Sequence, residues 1–148
     1  MLTDLFVKIM KKVLLYIWQL PQNLLGLILL MFYHKEQKFK YKDNVNFYET
    51  PEMPSGISLG QYIIVRHRSD IIDLNHEYGH TKQSKYLGWF YLIIIGLPSI
   101  IGNLIDRIIL TNILHWSYKK TYKWYYNLPW EKWADKLGNV TRYFDIKD

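Results

Sequence analysis

With 148 residues, the chain suits one domain with a modest core and is too short for two. A formal charge of +6 fits an anionic partner, but there is no nucleic-acid motif and the basic residues flank apolar runs, which points to a lipid surface and away from nucleic acid. The absence of Cys excludes disulfide and thiol chemistry, and an aromatic content of 17%, with 13 Tyr, suits a membrane–water interface.

Residues 13–33 carry no charge and, as helix, would extend about 31 Å, enough for a bilayer. Lys8, Lys11 and Lys12 precede this run, and Lys35, Lys38, Lys40 and Lys42 follow it. A cleavable signal peptide is the competing reading; the length of the run and the lack of a small-residue cleavage site argue against it. The cluster Gln19-Leu20-Pro21-Gln22-Asn23 interrupts the run. Pro21 predicts a bend, and amides at that depth need partners inside the protein. The expectation over 13–33 is therefore a membrane-embedded helix, bent near Pro21 and packed on the rest of the chain.

Residues 45–65 alternate apolar and polar types around the turn formers Pro51, Pro54, Ser55 and Gly56, which predicts a small hairpin or meander with a strand over 57–65. Ser69 or Asp70 is placed to cap a helix over 70–87 that stops at Gly88. Asp73, His76, His80 and Gln83 recur along it at spacings of three and four, making one polar face. His34 and His67 lie beside basic residues and read as surface. The second apolar region, 87–116, is broken at Gly96-Leu97-Pro98-Ser99 and is followed by the aromatic and basic stretch 115–126, which suits an interfacial helix. Pro129 opens a short helix over 129–138, closed by Gly138.

Within the 70–87 helix stands His76-Glu77-Tyr78-Gly79-His80. Positions four apart lie one turn above each other, so His76 and His80 present two imidazoles to one ion. Zn²⁺ takes neutral imidazole nitrogen readily, and a catalytic zinc keeps a position for water that the neighbouring Glu77 can deprotonate. A third ligand is needed. Glu131, Asp135 and Asp145 follow the second apolar region; Glu131 and Asp135 share a face of the terminal helix, with Ala134 allowing close approach to the zinc helix. Glu131 is then the ligand, and Asp135 accepts the outer N–H of a ligand histidine. For His80 and Glu131 to reach one ion, residues 87–116 must return to the side they left, which predicts a re-entrant helical hairpin turning at Gly96-Pro98-Ser99. Tyr126, Tyr125, Tyr122, His115 and Arg142 are candidates to stabilise an oxyanion, with Tyr126 preferred. Gln83 would position substrate or face solvent.

Glu131-Lys132-Trp133-Ala134-Asp135 after His-Glu-x-x-His resembles the Glu-x-x-Ala-Asp signature of membrane gluzincins, the zinc metallopeptidases of the prenyl-endopeptidase, heat-shock peptidase and β-lactam-sensor types. The resemblance covers the motif helix and the terminal helix, and this chain is an unusually short example. It implies His76, His80 and Glu131 as ligands of Zn²⁺, Glu77 as base, Asp135 behind a histidine, and extended substrate held along 57–65. The expected fold is α+β: one mostly helical, membrane-embedded domain over 1–148, integral to the membrane, with a small β hairpin before a zinc-binding helix in a minimal zincin-like core. The expected activity is hydrolysis of a peptide or protein substrate at the membrane by zinc-bound water. The alternative is a non-catalytic, zinc-stabilised membrane adaptor or sensor, in which His115 would close a four-ligand site.

Overall fold

The computed structural model describes residues 2–33 and 37–145; His34 and Lys35 lie outside the described residues. The fold is mixed α+β and mostly helical. The described elements are α1 (Leu2–Trp18), α2 (Leu20–Phe32), β1 (Gln37–Lys40), β2 (Asn46–Thr50), β3 (Ile57–Leu59), β4 (Tyr62–Arg66) and α3 (Ile71–Leu87). They continue with α4, a helix running from Leu92 to Ile113, then α5 (Tyr118–Tyr126) and α6 (Pro129–Gly138).

The four strands form one mixed sheet in the order β1-β2-β4-β3. The expected hairpin is only part of it. Gly60, at φ 65°, turns the 57–65 segment back on itself, so β3 and β4 pair antiparallel while β4 lies parallel to β2. β4 is central, and its unbroken run Ile63-Ile64-Val65 suits a strand covered on both faces. Phe47, Ile63 and Val65 pack with Tyr78 of α3 on one side. Tyr48 and Ile64 pack with Leu30 of α2 on the other. The layers therefore run α2, sheet, α3, and α6 then lies across the outer side of α3.

The first apolar run is two helices, not one. α1 and α2 meet at Gln19 with a bend of 82°, and Pro21 sits in the first turn of α2, where its missing N–H has no partner to lose. The amides of the elbow are buried, and apart from Gln22 Oε1 they find partners among the described residues. Gln19 and Gln22 donate to Ser84 Oγ at 2.6 and 3.0 Å, Gln22 also donates to the Gly88 carbonyl at 2.9 Å, and Gln61 donates to Gln19 at 2.6 Å.

The expected re-entrant hairpin over 87–116 is absent. Leu92 to Ile113 is one helix of 22 residues, long and apolar enough to cross a bilayer. Residues Leu92–Gly96 and Ile105–Ile113 are wound as π-helix around an α-helical centre, Leu97–Leu104. The wide turn before Pro98 displaces the carbonyl that a proline ring would meet in a regular α-helix, so the chain passes Pro98 without turning back. The return comes later, after Leu114. Trp116 N–H donates to the Leu110 carbonyl at 2.8 Å, and α5 runs back until Tyr125 and Leu128 lie beside Gly102.

Candidate metal centre

The site begins with the placement of α3. Asp70 caps its N-terminus, accepting from Asp73 N–H at 2.8 Å, and Gly88 ends it at φ 52°. Lying under the sheet, α3 buries His76, Glu77, His80 and Gln83. α6 crosses α3 at a distance only small residues permit: a Cβ on Gly79 would stand 2.0 Å from the Ala134 carbonyl oxygen, and one on Gly138 the same 2.0 Å from that of Asn75. This approach carries Glu131 and Asp135 to the histidine face.

Three ligand atoms converge there. His76 Nε2 and His80 Nε2 lie 3.1 Å apart, and each is 3.1 Å from Glu131 Oε2. Ligands about 2.0–2.1 Å from a tetrahedral zinc are separated by about 3.3 Å, so this near-equilateral triangle fits such an ion within a few tenths of an ångström. Among the described residues, His76, His80 and Glu131 are the group that could hold a metal ion, and all three are buried.

Each ligand is also held from behind. Asp135 Oδ1 lies 2.6 Å from His76 Nδ1, and Gln83 Oε1 lies 2.7 Å from His80 Nδ1, so both rings present Nε2 to the triangle. Gln83 is itself fixed by donating to the Trp130 carbonyl at 2.8 Å. On Glu131, the other oxygen, Oε1, accepts from Ser99 Oγ at 2.5 Å and from Tyr125 OH at 3.0 Å. Asn103 supports this pair, donating to Tyr125 OH at 2.8 Å and to the Ser99 carbonyl at 3.1 Å. Ser99 and Asn103, four apart on α4, thus share one polar side in the first half of the helix and reach Glu131.

Asp135 in turn is gripped by Arg142, whose Nε and Nη2 donate to its two oxygens at 2.8 Å each. The guanidinium is 1% exposed and lies over the Tyr126 ring, 3.4 Å from its centre, and the same ring packs edge-on against His76. A third guanidinium N–H goes to Tyr122 OH.

Electrostatics at the site follow from this packing. Burial alone would depress the His76 pKa, but hydrogen bonds to Asp135 and Glu131 outweigh it and raise it to about 9. Burial likewise works against the Glu131 charge, and the His80 and His76 rings more than compensate, holding its carboxyl well below the usual range. Glu77 goes the other way. Its burial dominates over His80, His76 and the hydrogen bond from Ser58, and its pKa is raised. With carboxyl groups at 77, 131 and 135 around the histidines, the point where the three ligand atoms meet favours a cation.

Glu77 is beside the triangle and not part of it. Ser58 Oγ donates to Glu77 Oε2 at 2.9 Å and to the Glu77 carbonyl at 2.7 Å, and Gly56 leaves room for the carboxylate, since a Cβ there would fall 2.3 Å from Oε1. The edge strand β3 therefore borders the carboxylate. Its Ser58 carbonyl already accepts from Tyr91 OH at 2.9 Å, so one group through which an added strand would pair is taken.

Of the oxyanion candidates, Tyr122, Tyr125 and Arg142 are committed to other partners, whereas the Tyr126 hydroxyl has no hydrogen-bond partner among the described residues. His115 is exposed in the turn after α4, outside the ligand group that an adaptor with a closed four-ligand site would require. Asp145 is exposed as well, and His67 sits at the surface, 3.5 Å from Glu49. Sequence reasoning missed the roles of Gln83, Ser99 and Asn103. The i+3 spacing of Gln83 from His80 was the available signal for the first. Comparison with known protein families, with curated proteins and with solved structures finds no match to this chain.

Proposed function

We propose that this chain is a zinc-dependent hydrolase, a membrane-bound endopeptidase of the gluzincin type. The observation that carries this reading is the convergence of Glu131 Oε2 on the two histidine Nε2 atoms at 3.1 Å, across 51 residues of sequence, with a buried carboxylate left over beside them. His76, His80 and Glu131 hold the ion, and Asp135 and Gln83 orient the rings. A zinc ion bound there supplies Lewis acidity, polarising a carbonyl and lowering the pKa of water. Glu77, with its pKa above the usual carboxylate range, accepts the proton of the attacking water and passes it to the leaving amine. Tyr126, kept neutral by burial, donates its free hydroxyl to the developing oxyanion. α4 supports the membrane part of the reading through its length and its exposed apolar stripe, Ile93, Leu97, Ile100, Leu104 and Ile108.

The test is zinc content per chain after detergent purification, alongside hydrolysis of an unstructured protein substrate. Wild type is expected to hold about one zinc and to cleave. Glu77→Gln keeps the zinc and loses activity by about 10²–10⁴-fold, the range for removal of a general base. Loss of zinc in Glu77→Gln would remove Glu77 from the role of base, and a wild type that takes up no zinc would end the proposal.

The support behind Glu131 makes a separate prediction. Ser99→Ala with Tyr125→Phe strips both donors from Glu131 Oε1 without touching a ligand. Zinc affinity, measured by competition with a chromophoric chelator, is expected to fall about 10–100-fold, the usual effect of losing groups that orient a ligand. An affinity within twofold of wild type would show that the α6 backbone alone positions Glu131.

A further inference from the structure

α1 is fastened at one end only. The Trp18 indole donates to the Lys85 carbonyl at 3.0 Å and the Trp89 indole to the Ile17 carbonyl at 2.9 Å, pinning its C-terminal turn beside the end of α3. From Thr3 to Leu14 every residue is exposed. Two opposed faces run along this free portion. Lys8, Lys11 and Lys12 lie on one, at helical spacings of three and four. Phe6, Ile9 and Val13 lie on the other, 64%, 50% and 47% exposed, and Ile17, 51% exposed, continues that face into the fastened turn.

We infer that α1 is an in-plane anchor for an anionic lipid surface. At about 26 Å it falls short of the roughly 30 Å hydrocarbon thickness, and three lysines along its length oppose transverse burial. The 82° bend at Gln19 keeps it from continuing into α2 as one span. Lying flat, α1 sinks its apolar face among acyl chains while the lysines extend to the negative headgroups. Charge complementarity selects this occupant. A second copy packed apolar face to apolar face would leave the three lysines unused, and they outnumber the single acid of the helix, Asp4. The inference rests on the shape and charge of α1 and is independent of the metal chemistry.

The test exploits the absence of native Cys. Single cysteines at each of residues 5–14 are introduced into the full chain, which is reconstituted in vesicles of phosphatidylcholine with one-quarter phosphatidylglycerol, and labelled with a membrane-impermeant maleimide. The labelling rate is expected to oscillate with a period of 3.6 residues, slow at positions 6, 9 and 13 and fast at 8, 11 and 12. With each surface lysine worth about fivefold in partition, the slow positions should speed up more than tenfold in pure phosphatidylcholine, or when Lys8, Lys11 and Lys12 are all replaced by Gln. Rates that fall steadily toward Trp18 would mean that α1 enters the bilayer end-on. Uniformly fast rates would mean no surface contact. Protection that follows protein concentration and ignores phosphatidylglycerol would assign the apolar face to a second copy. Any of these three overturns the inference, and none bears on whether the chain binds zinc.

Discussion

Replacing Glu131 with alanine is expected to abolish zinc binding, lowering affinity by more than a thousandfold, well past the 10–100-fold typical of groups that merely orient a ligand. Two histidines four apart remain, but they are only part of the three-ligand set that a catalytic zinc site uses. Stability also falls. Glu131 is fully buried, and its removal takes the acceptor from the half-buried Ser99 and Tyr125 hydroxyls, of which Tyr125 keeps only the bond it accepts from Asn103; a donor left unpaired costs up to about 1–3 kcal/mol. Glu131→Gln separates the two effects. It keeps the volume and an oxygen for the hydroxyls but loses the charge, so it should melt near the wild-type temperature in the presence of chelator while binding zinc far more weakly. Metal content and thermal unfolding of both variants check this. A Glu131→Ala protein that holds one tightly bound zinc would place the third ligand elsewhere.

Gly79→Ala carries the other large effect, and two opposing magnitudes decide its sign. In a helix interior the exchange gains about 0.8–1 kcal/mol of propensity. Against this, the new methyl would lie 2.0 Å from the Ala134 carbonyl oxygen and 2.7 Å from its carbon, atoms of backbone that cannot rotate away. α6 would have to retreat by more than 1 Å, and such overpacking costs about 1–3 kcal/mol or more. Packing wins, so the substitution destabilises. The retreat also takes Glu131 from a triangle whose sides are 3.1 Å, so zinc affinity falls with stability. Unfolding in denaturant and chelator competition should both register the change. A more stable Gly79→Ala protein would contradict the close crossing of α3 and α6.

The parts of this molecule that could be read from sequence are those where chemistry and spacing coincide locally. His76, Glu77 and His80 share one turn of helix, and Glu131 and Asp135 share another, so their placement on two helix faces follows from periodicity. What periodicity cannot supply is a pairing between distant segments. The parallel register of Asn46–Thr50 with Tyr62–Arg66 depends on Gly60 folding β3 outward, and in sequence Ile57 to Val65 has the alternation of one unbroken strand. Ser99 and Asn103 were misread for a different reason. Beside Gly96 and Pro98 they look like a break in an apolar segment, because local statistics treat such a cluster as a turn. The π-helical winding before Pro98 absorbs the proline, the helix continues, and the two polar side chains face Glu131. The requirement that the chain return toward the histidines was sound, but the place of return was not: α4 runs its full length and α5 brings the chain back.

The double hold on Glu131 Oε1 bears on which ions this centre can discriminate. With that oxygen engaged by Ser99 and Tyr125, the carboxylate has one oxygen to offer, and the inventory becomes two nitrogens and one oxygen on a triangle 3.1 Å on a side. Calcium gathers about six to eight oxygens at 2.3–2.6 Å and would find neither the number nor the room. Magnesium prefers oxygen in octahedral array and parts reluctantly with its waters. A small borderline-soft ion content with four neighbours matches the inventory. In the proposed zinc centre, selectivity would thus be set by two hydroxyl groups that do not touch the metal, one of them supplied by the long helix α4.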